Sequence, residues 1–163
     1  MFWTDWGANA KIERATLSGG QRIAIVTTYL FYPNGIELDM GNKRIFWVDA
    51  GNDRVETIDY YGNDRRLLHH LSGQHPFGLT LIPPFLFFTD WLTAEDIHQL
   101  DASTGRVIRT SSVNGGEPMG IVAYDGSRQP SGIEKAIERI NNILCESLKV
   151  IVAHPVCLRE GLL

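Results

Sequence analysis

Apolar and polar residues alternate in short runs along most of the chain. In the middle portion Ile36 and Leu38 alternate with Glu37 and Asp39, the period-two signature of a half-buried strand. The runs Gly35–Met40, Arg44–Ala50, Arg54–Tyr60 and Arg65–Leu71 are separated by Gly41-Asn42, Gly51-Asn52-Asp53 and Gly62-Asn63-Asp64. Such Gly/Asn/Asp clusters are turn formers. The segment therefore predicts four short antiparallel strands in one unit.

The unit repeats. Phe2-Trp3-Thr4-Asp5, Phe46-Trp47-Val48-Asp49 and Phe87-Phe88-Thr89-Asp90 begin 44 and 41 residues apart. Pro33-Asn34-Gly35-Ile36, Pro76-Phe77-Gly78-Leu79 and Pro118-Met119-Gly120-Ile121 interleave with them at spacings of 43 and 42. A third marker follows each tetrapeptide: Ile12-Glu13-Arg14, Val55-Glu56-Thr57 and Ile97-His98-Gln99, closing at Gly19, Gly62 and Gly105. Four strands in about 42 residues is the size of a propeller blade.

These motifs resemble the YWTD propeller, the class B repeat of the low-density lipoprotein receptor and its related proteins. The resemblance rests on Phe2-Trp3-Thr4-Asp5-Trp6-Gly7 with Lys11-Ile12-Glu13-Arg14, on Tyr32-Pro33-Asn34-Gly35, on Pro76-Phe77-Gly78-Leu79-Thr80-Leu81, on Phe88-Thr89-Asp90-Trp91 and on Ser127-Arg128-Gln129-Pro130. It implies an all-β fold: about three blades of a six-bladed propeller over residues 1–130. Phe88 departs from the usual Trp. After Pro130 the family continues into a cysteine-rich EGF-like module, and this chain does not.

Residues 131–163 differ in pattern. Ser131 and Glu134 form a Ser-x-x-Glu capping box. Ile133, Ile137, Ile140 and Leu144 follow at steps of four, three and four. This predicts a C-terminal amphipathic helix, followed by the apolar run Val150–Ala153 and a stop at His154-Pro155. Such a helix covers propeller surface or a partner's groove, or the segment is an unrelated chain end.

The repeat residues read as scaffold. Catalysis needs one site, whereas Asp5, Asp49 and Asp90 recur in every unit. A short carboxylate at a strand end can accept hydrogen bonds from backbone N–H groups and tie blades together. Trp3, Trp47 and Phe88, with the aromatic residue before each, fill the space between blades. Pro and Gly of the second motif set the close approach of the innermost strand. Function then belongs to loop positions that vary between blades. In the resembled family, protein ligands bind the top face around the channel. Matched by motif, that face here comprises Trp6, Tyr32, Asn34, Ala50, His75, Phe77, Trp91 and Met119, with Phe77 and Met119 the two best suited to core packing. An aromatic-rich set with a few polar groups suits a protein-binding hot spot.

Strand counting predicts two full blades flanked by incomplete ones. Met1–Trp6 reads as the second strand of a blade, and Met119–Asp125 as a lone innermost strand. Open edges favour association, so two copies joined head to tail could complete one ring.

Charge and composition narrow the function classes. The net charge of −4 has no basic concentration, which nucleic-acid binding requires. The longest apolar run, Leu79–Phe88, is broken by Pro83-Pro84 and falls short of the roughly 20 residues of a membrane span. Met1 leads directly into the repeat, so no signal peptide is read, and the resemblance implies the extracellular part of a plasma-membrane receptor. The only cysteines, Cys145 and Cys157, lie in the tail. With His154 they lack a fourth ligand and zinc spacing. His69 and His70 are adjacent on a strand and point to opposite faces. No metal or other cofactor is expected. His69, His70, His75 and His98 could titrate at endosomal pH.

The leading reading is a non-enzymatic, ligand-binding fragment of a receptor serving endocytic uptake or signalling. Alternatives are a Wnt-type co-receptor fragment or a truncated product without independent function. A calcium-dependent lactonase would need Glu, Asn and Asp converging in the channel, and only Asn34 fits.

Overall fold

The computed structural model describes residues 1–92, 97–113 and 118–124, and the backbone of 149–153. The expected helix from Ser131 to Leu144, Cys145 and Cys157 lie outside the described residues. Among these, every regular element is a strand.

The first sheet holds β1 (Phe2–Asp5), β2 (Lys11–Arg14) and β3 (Ile23–Val26). The second holds β4 (Pro33–Asp39), β5 (Arg44–Asp49), β6 (Arg54–Asp59) and β7 (Arg66–His70). The third holds β8 (Pro76–Ile82), β9 (Phe85–Asp90), β10 (Ile97–Asp101) and β11 (Val107–Ser111). In each, consecutive strands pair antiparallel in sequence order. The strands coincide within two residues with the alternating runs in the sequence, because the Gly/Asn/Asp clusters end each ladder. The Lys43 and Asp53 turn residues adopt left-handed φ of 52° and 54°.

The sheets stack face to face as blades, with the innermost strands β4 and β8 neighbouring one another. Period-two alternation sends the two aromatics of each tetrapeptide to opposite faces. Trp47 joins Ile12, Val26, Ile45 and Ile58 between the first and second sheets, with Phe2 packed against them. Phe46 joins Val55, Leu79, Leu86, Phe88 and Leu100 between the second and third. The second aromatic therefore faces the preceding blade and the first faces the following one. Each such buried side chain contributes about 1.5–3 kcal/mol by leaving water. This is a partial β-propeller.

The Pro-x-Gly motif sets the inner spacing. A Cβ on Gly35 would lie 2.6 Å from the Leu79 nitrogen and 2.8 Å from the Phe77 oxygen. One on Gly78 would lie 2.6 Å from the Met119 oxygen. Only glycine lets neighbouring innermost backbones approach so closely.

One expectation is corrected. The innermost strand β12 (Gly120–Tyr124) is not lone. It pairs antiparallel with β13 (Lys149–Ala153), supplied by the tail of the same chain. A β-type run of Val and Ile stands there, and an unpaired edge is an available template. The tail thus contributes a strand, and the edge that a head-to-tail dimer would use is occupied within the chain.

Candidate ligand-binding face

The register pairs Pro33 with Asp49 and Pro76 with Asp90. It therefore brings the start of each innermost strand and the end of each tetrapeptide to one end of the blades. There Asp49, fully buried, accepts hydrogen bonds from the amides of Phe31 (2.8 Å), Tyr32 (2.9 Å), Gly51 (3.0 Å) and Asn52 (3.1 Å). Phe31 and Tyr32 belong to the connector between two blades, so one carboxylate fixes both that connector and the turn after its own strand. Asp90, also fully buried, accepts from the amides of His75 (2.8 Å) and Leu92 (2.9 Å). Asp5 is exposed, with Lys11 Nζ 3.9 Å away. Carboxylates saturated by backbone donors are anchors rather than acid–base groups.

Hydroxyls and one amide join neighbouring blades at the same end. Thr4 Oγ1 donates to the Asn34 carbonyl at 2.9 Å, and Thr89 Oγ1 to the Met119 carbonyl at 2.9 Å. The middle tetrapeptide has Val48 at that position, which has no hydroxyl. The Asn34 side chain takes over, donating from Nδ2 to the Pro76 carbonyl at 2.9 Å.

A second repeated device lies behind the tetrapeptides. Arg22 sits over the Trp3 ring at 5.2 Å and forks onto Glu13, Nε to Oε1 at 2.8 Å and Nη2 to Oε2 at 2.5 Å. Arg65 sits over Trp47 at 5.3 Å and meets Glu56 at 2.5 Å. The Glu13–Arg22 pairing holds the Glu13 carboxyl below its ordinary pKa. The third blade changes all three residues, with Phe88, His98 and Ile108 in their places.

Upon this frame the expected face residues divide into groups. Trp6 (63% exposed) meets Tyr32 edge-on, with ring centroids 5.6 Å apart, and Tyr32 meets Phe31 at 4.5 Å. Trp91 lies 5.0 Å from His75 and 5.7 Å from Phe77. The structure thus brings six side chains into two aromatic clusters, each joining a post-tetrapeptide residue to a connector. Met119 is exposed and Phe77 half-buried, so neither is fully core. Ala50 is buried, its amide bonded to the Tyr32 carbonyl at 3.0 Å, and Asn34 spends its amide on Pro76. Those two act in the frame. Phe31 was missed: it lies one residue before the motif, but its neighbour Tyr32 already marked that connector.

Comparison with known proteins gives the same assignment. Residues 1–40 match the family model "Low-density lipoprotein receptor repeat class B". Residues 1–40 therefore carry a low-density lipoprotein receptor class B repeat, and the later tetrapeptides at Phe46–Asp49 and Phe87–Asp90 are similar to it. The chain is 39% identical over 106 residues to the vitellogenin receptor of Drosophila melanogaster, covering 65% of this chain and 5% of that receptor. It is 31% identical over 109 residues to the human low-density lipoprotein receptor-related protein 5-like protein, covering 66% of this chain and 43% of that protein. The chain thus spans a small part of the insect receptor and under half of the human protein. Among solved structures, it superposes on a chain of the nidogen/laminin complex with a TM-score of 0.69 and 29% identity, over 74% of this chain and 46% of that one. A gluconolactonase from Xanthomonas campestris superposes with a TM-score of 0.59 at 16% identity, over 76% of this chain and 40% of that one. That likeness is of fold alone.

The blades also place the histidines. His69 is half-buried and its pKa is pushed down, chiefly by burial, while His70 next to it is exposed. His98 is buried in the third blade, 3.7 Å from Asp90. Among the described residues no three His, Cys, Asp or Glu side chains converge as a metal site. No described helix is long and apolar enough to cross a membrane.

Proposed function

We propose that this chain is a non-enzymatic, protein-binding segment of the extracellular part of a cell-surface receptor. Its class B repeats form part of a six-bladed ring over residues 1–130, with 131–163 as an appendage. The ligand sits on the end of the blades that carries Trp6, Phe31, Tyr32, His75, Phe77 and Trp91. One observation carries this reading: Trp6 is exposed and packs edge-on against Tyr32, whose backbone amide is held by the buried Asp49. A rigid, half-dry aromatic cluster loses little entropy on binding and offers a large contact area, as hot spots do.

The class B relatives include vitellogenin receptors, and the structural relative is part of a complex with laminin. Both precedents favour a secreted protein over a small substrate. Uptake of a protein of the vitellogenin type is therefore the first role to test.

Surface plasmon resonance with insect vitellogenin and with a laminin fragment as separate analytes provides the test. Trp6→Ala with Tyr32→Ala should weaken binding at least tenfold while thermal melting stays within a few degrees. A folded double variant that binds unchanged, or wild-type protein that binds neither, would overturn the reading. Calcium binding by calorimetry would instead favour the lactonase-like alternative.

A further inference from the structure

The pairing of β12 with β13 follows the register of the genuine blades. Ile121 pairs with Val152 as Leu79 pairs with Phe88 and Ile36 with Trp47. Val122 pairs with Ile151 as Thr80 pairs with Phe87, and Ala123 with Val150 as Leu81 with Leu86. Ile151-Val152-Ala153-His154 thus stands in sequence where Phe87-Phe88-Thr89-Asp90 stands one blade earlier.

We propose that β13 is an in-chain plug in a strand-accepting edge of β12, and that this edge takes in exchange an extended segment of aromatic–aromatic–Thr–Asp sequence. The register matches a blade's second strand, but the residues that lock such a strand are missing. At the position of Thr89, whose hydroxyl reaches the Met119 carbonyl just before β12, the plug has Ala153. After Ala153 the sequence continues His154-Pro155, without the aspartate that follows Val48 and Thr89 and accepts connector amides in the genuine blades. At the position of Trp47 and Phe88, both essentially fully buried against the preceding blade, stands the smaller Val152.

The receiving surface is already shaped for an aromatic. Phe87 and Ile82 form a buried cluster with Ile121, and Phe85 and Ile97 pack against it. By the rule of the other two blade interfaces, a second aromatic from the next blade packs on the preceding blade's first. Backbone pairing supplies affinity in such strand addition and side-chain pockets supply selectivity. A tetrapeptide strand therefore makes the plug's ladder and adds the locks that the plug lacks.

The test uses the full chain and a fluorescein-labelled peptide of the sequence of residues 85–91, extended by two lysines for solubility. Val150→Pro with Val152→Pro breaks the β13 ladder, since proline donates no hydrogen bond. That variant should bind the peptide at least tenfold more tightly than wild type by fluorescence polarisation. Amide exchange at 120–124 should quicken at least tenfold, while β5 and β9 stay protected. A peptide with Thr and Asp both replaced by Ala should bind at least tenfold more weakly. A second variant, Ile121→Cys with Val152→Cys and with Cys145 and Cys157 made Ser, staples the plug through a registered pair. When oxidised, it should bind less tightly than the proline variant by tenfold or more. Equal peptide affinity in the proline variant, the oxidised staple and wild type, or unchanged exchange at 120–124, would overturn the proposal.

Discussion

The imidazole of His98 lies flat against the ring of Phe88, with centroids 4.6 Å apart and planes inclined by 5°. In the two preceding blades the same layer is a tryptophan covered by an arginine that a glutamate holds. Blade three replaces Trp by Phe, Glu by His and Arg by Ile108 together. A flat, uncharged-capable ring on Phe88 fills the layer without leaving a buried carboxylate unpaired.

The layer should therefore fail when changed one residue at a time. His98→Glu puts a carboxylate into a buried site without its arginine. We expect a loss of roughly 3 kcal/mol, the scale of an uncompensated buried charge. Adding Ile108→Arg should recover most of it, because Ile108 is 38% exposed and has room for the longer side chain. Urea midpoints of the single and double variants check this. A double variant no more stable than His98→Glu alone would disprove the layer.

How much of this was legible in the sequence depends on the range of the interaction. The blades were legible because turn clusters, alternation and the tetrapeptide share one period, and all three act locally. Glu13 and Glu56 fall within a repeated marker, but nothing local names their partners, because Arg22 and Arg65 lie nine residues further on, across a turn. The pairing of Val150–Ala153 with β12 was not legible. It joins residues about 30 apart through backbone hydrogen bonds, and a β-type apolar run carries no label for its partner. The aromatic clusters were half legible: Trp6, Tyr32 and Trp91 follow from motif position. The diversion of Asn34 into the frame depends on Val48 lacking a hydroxyl, which shows only once neighbouring blades are in contact.

The anchoring role of the tetrapeptide aspartates makes unequal demands on equal residues. Asp49 satisfies four backbone amides from a buried position, so Asp49→Ala should cost about 3 kcal/mol or more through unsatisfied donors. Asp49→Asn should cost less, since one oxygen remains. Asp5→Ala should stay within about 0.5 kcal/mol, as expected for an exposed residue. Equal losses at Asp5 and Asp49 in chemical denaturation would show that the motif acts through something other than these bonds.

Close packing of the innermost strands gives a purely steric prediction. Gly78→Ala places a methyl 2.6 Å from the Met119 oxygen and 2.9 Å from the Ile121 nitrogen. Both are backbone atoms and cannot rotate away. A loss of about 1–3 kcal/mol follows from overpacking. Gly73→Ala is the informative contrast. Nothing lies within 4 Å of its Cβ, and its φ of 67° makes the cost conformational alone. It should cost about 1 kcal/mol and leave amide exchange in β8 and β12 unchanged, whereas Gly78→Ala should quicken it.

The turn between β10 and β11 supplies the clearest dependence on pH. Asp101 Oδ1 accepts from the amides of Ser103 (3.0 Å) and Thr104 (2.9 Å) and from their hydroxyls at 2.6 and 2.9 Å. These bonds, the Ser103 hydroxyl first, lower its pKa from 3.8 to about 2. A depressed carboxyl pKa means that the unfolded chain binds the proton first. The stabilisation is complete above about pH 4 and fades as pH falls through 2. Asp101→Asn removes the charge and with it this dependence. At pH 7 the variant should melt below wild type. The gap should narrow steadily between pH 4 and pH 2, because wild-type Asp101 then becomes protonated too. Thermal melts at pH 7, 4, 3 and 2 measure the difference directly. A gap constant across that range would mean that the turn is held by its serine and threonine hydroxyls without help from the carboxylate charge.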